Sequence, residues 1–148
     1  MSGGRGIAGV SWNGRMSGGA GPGAYPALFG LQVFVVEDEL LVSMMLEDML
    51  AEFGCVVAGV AATVSQALSE VAGAPAIDAA ILDVNLGGEK IFPVADILTE
   101  RGVPVVFSTG FGPADLAQRY PDSHLLHKPY APEALAEVLT DVSRRPLH

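Results

Sequence analysis

The chain has 148 residues, 50% of them hydrophobic, and a formal charge of −9. That gives room for one domain with a sizeable core and argues against non-specific nucleic-acid binding, which needs basic surface. No run of about 18 apolar residues occurs, the start lacks the apolar core of a secretory signal, and the lone Cys55 cannot close an internal disulfide, so a cytoplasmic, reducing setting with no membrane contact is expected.

Residues 1–30 are rich in Gly, carry Arg5 and Arg15 but no acid, and show no sustained period. Such a stretch buries too little apolar surface to offset its ordering entropy, so a flexible tail is expected. The pattern changes at Leu31. Residues 31–36 are a nearly continuous apolar run, which suits a strand buried on both faces. Residues 40–53 read as a helix stopped by Gly54, and 55–60 as a second strand. Residues 63–72 read as a second helix, with Thr63 or Ser65 to cap it. Residues 77–82 form a third strand that runs into Asp83, and 90–101 a third helix with Pro93 near its start. Residues 103–107 form a fourth strand, and 113–119 a short fourth helix opened by Pro113. Leu125 and Leu126 mark a fifth strand, and residues 132–143 the last helix. Strands alternating with helices in this way predict a single α/β domain over residues 31–148. The expected architecture is a (βα)5, flavodoxin-like, doubly wound parallel sheet between two helical layers.

In such a sheet, ligands bind outside the carboxyl ends of the strands. Glu37, Asp38 and Glu39 follow the first strand, and Asp83 follows the third. Ser108 and Thr109 close the fourth, and Lys128 follows the fifth. All should meet at one edge. Each has an ordinary reading alone: acids suit a helix first turn, Asp and Thr suit turns, and Lys suits a surface. Together they are more specific. Clustered carboxylates repel and need a cation, and hard oxygen ligands suit Mg²⁺. A pocket with a cation, a lysine and a hydroxyl is what a phosphoryl group on a carboxylate requires.

The stretches 35–39, 81–86, 103–110 and 127–129 resemble a response-regulator receiver domain of two-component signalling, over residues 31–143. The resemblance implies that Asp83 is the phosphoacceptor. Asp38 would be a direct metal ligand and Glu37 a ligand directly or through water, with Mg²⁺ also held by Asp83 and the backbone carbonyl of Asn85. Thr109 would bond a phosphoryl oxygen, and Lys128 would pair with the phosphoryl group or with Asp83. It further implies a signalling protein, not an enzyme acting on a separate substrate. Its partners would be a sensor histidine kinase or histidine phosphotransfer protein, and a downstream protein.

Residues 107–112 also resemble the "FAT GUY" branch of receivers, with Ser108 in place of Ala and Gly112 in place of Tyr. Many receivers carry an aromatic three residues before the lysine, where this chain has Leu125. Phe111 is the expected substitute switch, on a loop that Gly110 and Gly112 make adaptable. The moving surface would be the fourth helix, fifth strand and last helix, which also offers a homodimer face. Three rivals stand beside this reading. A flavodoxin-like cofactor binder would need a phosphate-holding loop after the first strand, where Glu37, Asp38 and Glu39 would repel phosphate. A pseudo-receiver would act as an interaction module without phosphorylation. A DNA-binding regulator would need a further module, and only residues 144–148 follow the last helix, so no direct nucleic-acid contact is expected.

Overall fold

The computed structural model describes residues 25–74, 76–110 and 116–144. Its elements are β1 (Gln32–Val36), α1 (Leu40–Glu52), β2 (Val56–Ala61), α2 (Val64–Gly73), β3 (Ala79–Asp83), β4 (Asn85–Leu86) and β5 (Glu89–Lys90). They continue with α3 (Phe92–Glu100), β6 (Val105–Thr109), α4 (Leu116–Arg119), β7 (His124–His127) and α5 (Pro132–Ser143). Five strands form one parallel sheet in the order β2-β1-β3-β6-β7. The chain steps outward from β1 to β2, then crosses back to β3, so the order reverses between β1 and β3. That is the expected flavodoxin-like, doubly wound sheet, and its switch point lies where Glu37 and Asp83 emerge.

The continuous apolar runs work because strand side chains alternate between faces. Val33, Val35, Ile81 and Val106 pack with Leu46 and Leu50 of α1 and Leu135 and Leu139 of α5. Phe34, Leu82 and Phe107 pack with Ala67 and Val71 of α2 and Val94 and Leu98 of α3. Phe34 and Phe107 are fully buried, and burying a side chain of that size contributes about 1.5–3 kcal/mol.

Local chemistry sets the helix ends. The Thr63 hydroxyl caps α2 by accepting from the Gln66 N–H at 3.1 Å, and Gln66 Oε1 accepts from the Ala62 N–H at 2.9 Å. Gly54 takes φ 85° after α1, where a Cβ would meet the Phe29 ring at 2.8 Å.

Two boundaries differ from the sequence expectation. The packed region begins before Leu31: Pro26–Leu28 form a 3₁₀ turn, Leu28 is fully buried, and the Tyr25 ring meets Phe53 edge-on at 5.2 Å. Average composition hid these apolar anchors, and residues 1–24 lie outside the described residues. Lys90 belongs to a β4–β5 ribbon, so α3 begins two residues later than expected. The described part of α4 is Leu116–Arg119, and Pro113 lies outside the described residues. Among the described residues, no helix is long and apolar enough to cross a membrane.

Candidate phosphoryl-accepting site

Parallel register carries the site across the sheet. Val35 pairs with Ile81, so the next alternate positions beyond them are Glu37 and Asp83. Asp83 pairs in turn with Ser108, and Ser108 with Leu126, two residues before Lys128. Glu37, Asp83 and Ser108 therefore form one row at the carboxyl edge, on the face covered by α1 and α5. All three are buried.

The Lys128 ammonium lies 3.1 Å from Asp83 Oδ2 and 2.9 Å from Glu37 Oε1. It donates an aligned hydrogen bond to Asp83, whereas its contact with Glu37 is an ion pair without hydrogen-bond alignment. Asp83 Oδ1 accepts from the Asn85 N–H at 3.2 Å, and Glu37 Oε2 accepts from the Glu39 N–H at 3.1 Å. Asp38 is exposed, and its Oδ2 accepts from the Gly87 N–H at 3.1 Å. Thr109 is buried at the end of β6, and its carbonyl accepts from the Lys128 N–H at 2.8 Å.

Burial pushes the Glu37 carboxyl up to about 7; Lys128 and the Glu39 N–H oppose the rise, and Asp83 adds to it. Burial alone would lower the pKa of Lys128, but Glu37 and Asp83 outweigh it and hold the ammonium above its ordinary value. The lysine thus stands in as the charge partner of two buried acids.

Carboxylate oxygens of Glu37, Asp38 and Asp83 come within 4.8 Å of one another. Buried Glu37 Oε1 has no aligned donor, and the donor set is all hard oxygen, so these residues fit a Mg²⁺ ion.

The response regulator receiver domain family matches residues 33–140. The chain belongs to that family. Among solved receivers, it is 43% identical to SdrG from Sphingomonas melonis Fr1, with a TM-score of 0.67, covering 76% of this chain and 96% of SdrG. It is 30% identical to the receiver domain of PhyR from Erythrobacter litoralis, with a TM-score of 0.70, covering 82% of this chain and 98% of that domain. It is 29% identical over 112 residues to the phyllosphere-induced regulator PhyR of Methylorubrum extorquens. That match takes in 74% of this receiver and 42% of PhyR, so the chain spans less than half of that curated relative.

Of the residues singled out from sequence, the fold brings Glu37, Asp38, Asp83 and Lys128 into contact distance and sets Asn85 and Thr109 beside them. Gly110 ends the described part of that loop, and Phe111 lies outside the described residues. Leu125 pairs with Phe107 and is 39% exposed. Sequence reasoning missed two contributors. One is Gly87, whose N–H holds Asp38; the Gly87-Gly88 dipeptide was the available hairpin signal. The other is Tyr130, which follows Pro129 and packs under the same face; only its position after Lys128 hinted at it.

Proposed function

We propose that this receiver accepts a phosphoryl group on Asp83 and reports it through protein contacts. The observation that carries the reading is the Lys128 ammonium set between the buried acids Asp83 and Glu37, with Asp38 adjacent. An Asp83 oxygen attacks the phosphorus of a phosphoimidazole presented by a sensor histidine kinase or histidine phosphotransfer protein. The P–O bond forms as the P–N bond breaks, and the electron pair stays on the imidazole nitrogen. A carboxylate nucleophile needs no general base to attack. Mg²⁺ bound by Glu37, Asp38, Asp83 and the Asn85 carbonyl would offset the charge of carboxylates and phosphoryl oxygens. Lys128 then turns from Glu37 toward the phosphoryl oxygens, and Thr109 supplies a hydroxyl to them. The chemistry is self-modification followed by hydrolysis, not turnover of a separate substrate.

Protein partners have a surface to use. Leu40, Leu41, Met44 and Met45 of α1 are exposed beside Glu39, at the rim of the site. PhyR of Bartonella quintana is described as an anti-anti-sigma factor. A protein-binding output of that kind, without direct DNA contact, is the reading we favour here.

Incubation with phosphoramidate and Mg²⁺ should add one phosphoryl group by intact mass, at an acid-stable but base-labile bond. Asp83→Asn should abolish the gain. Unchanged labelling of Asp83→Asn would refute the assignment, and an unlabelled wild type would favour an interaction module without phosphorylation.

A further inference from the structure

Buried polar atoms are almost always hydrogen-bonded, so exceptions ask for a reason. Among the described residues, four buried side-chain atoms lack an aligned partner: His124 Nδ1 at the start of β7, and Glu37 Oε1, Ser108 Oγ and Tyr130 Oη, which belong together at one end of one face. Ser108 sits in register beside Asp83. Val106, two residues earlier, packs in the cluster with α1 and α5, so strand alternation turns Ser108 to the same layer. Tyr130 packs against that cluster as well, and with Lys128 and Pro129 it lines a cleft of about 300 Å³ against α1. Burial pushes the Tyr130 hydroxyl up to about 12, and the Ser108 hydroxyl acts the other way through hydrogen bonding. The Ser108 hydroxyl is thus close enough to act on that of Tyr130, yet neither has an aligned partner in this arrangement.

We propose that Ser108 and Tyr130 are positioning residues for phosphoryl transfer: a buried hydroxyl pair that closes when Lys128 is drawn from Glu37 and Asp83 to an incoming phosphoryl group. The inference rests on Asp83 being the acceptor. Lys128 is tied through its N–H to the Thr109 carbonyl, next to Ser108, and Tyr130 lies two residues further on. A shift of the lysine therefore carries Tyr130 relative to Ser108. A hydrogen bond made only in the shifted arrangement favours the transition state over the resting state. Tyr130 touches no reacting atom; it acts by fixing the segment that bears Lys128. Ser108 stands where the otherwise similar FAT GUY pattern has Ala, so the pair is a feature of this chain's own sequence.

The test uses the full chain, Mg²⁺ and phosphoramidate. The Asp83 oxygen forms its P–O bond as the P–N bond breaks and ammonia leaves. Ser108→Ala and Tyr130→Phe each delete one hydroxyl. Each should lower the maximal rate of Asp83 phosphorylation about three- to tenfold, the scale of one hydrogen bond. The half-saturating concentrations of donor and Mg²⁺ should not change. The double variant should be no slower than the slower single, because the hydroxyls act as one pair. Wild-type rates in both singles, or losses that multiply in the double, would overturn the proposal. If Tyr130→Phe folds poorly, Ser108→Thr decides beside Ser108→Ala: rate kept in Thr and lost in Ala supports the pair, and any other pattern rejects it. A wild-type chain that takes no label removes the acceptor reading and this one together. A labelled wild type with indifferent variants removes only this one.

Discussion

Glu37 is where site chemistry and folding stability pull in opposite directions. Its carboxyl rises from an ordinary 4.5 to about 7 on folding, with burial the largest cause. Between those values the native state holds a proton that the unfolded state has lost. Raising the pH through that window therefore removes stability; below it the group is neutral in both states, and above it the loss is constant. Metal-free wild type should thus lose stability relative to Glu37→Gln from pH about 4.5 to 7, read from urea melts of both proteins. A difference that stays flat across the window would contradict the raised pKa. A Mg²⁺ ion held by these carboxylates would take Glu37 in its ionised form, so added Mg²⁺ should stabilise the protein increasingly over the same range. The sequence marks Glu37 as a strand-end acid because a β-run stops there. It does not mark the burial, which comes from the row with Asp83 and Ser108 and is a property of register between distant strands.

At the scale of elements, the long periodic segments were legible and the short ones were not. Each sheet strand and each helix announced itself through an apolar run or a helical period with a stop signal. β4 and β5 are two residues each and carry no period at all. Their turn is Gly87-Gly88, with φ 54° and 91°, the pair of positive values that a tight two-residue hairpin turn demands. A Cβ at either glycine would meet nothing within 4 Å, so side-chain size is not the constraint there; the backbone conformation is. Gly88→Ala should cost about 1 kcal/mol of stability for that reason alone. The ribbon also has a functional consequence, because Gly87 donates to Asp38. Loosening it should weaken Mg²⁺ binding roughly tenfold, as loss of outer-sphere support does in metal sites. Titration of Mg²⁺ against Asp38 and Gly87 amide resonances in wild type and Gly88→Ala checks this; equal affinities would detach the ribbon from the metal site.

For the whole molecule, the open question is how an event on the α1–α5 face of the sheet reaches the opposite face. Leu125 offers no aromatic swing, but another ring lies close to β6. Tyr120, just after α4, packs on Phe107 at 5.1 Å between centroids, and Phe107 is two residues before Thr109. Its hydroxyl donates to Asp96 of α3 at 2.7 Å. Arg119 reaches the same Asp96 at 3.6 Å and stacks over Phe92 at 4.2 Å. This clamp ties the described part of α4 to α3 and β6. Pairwise contacts between α3 and α4 leave no trace in either segment's own period, which is why the sequence did not show them. The carboxylate is half exposed, so its ion pair with Arg119 contributes little and the Tyr120 hydrogen bond more. Tyr120→Phe should cost about 1 kcal/mol, and Asp96→Ala about the same or slightly more, by denaturant melts. The double variant should lose less than the two singles together, since both remove one bond. If the clamp holds α4 in its resting place, both variants should also shift the backbone resonances around Gly110 toward those of the phosphorylated protein, without any phosphodonor. Resonances unchanged at Gly110 in a variant that has lost the expected stability would mean that the clamp serves packing alone, and that the route from Asp83 to α4 runs elsewhere.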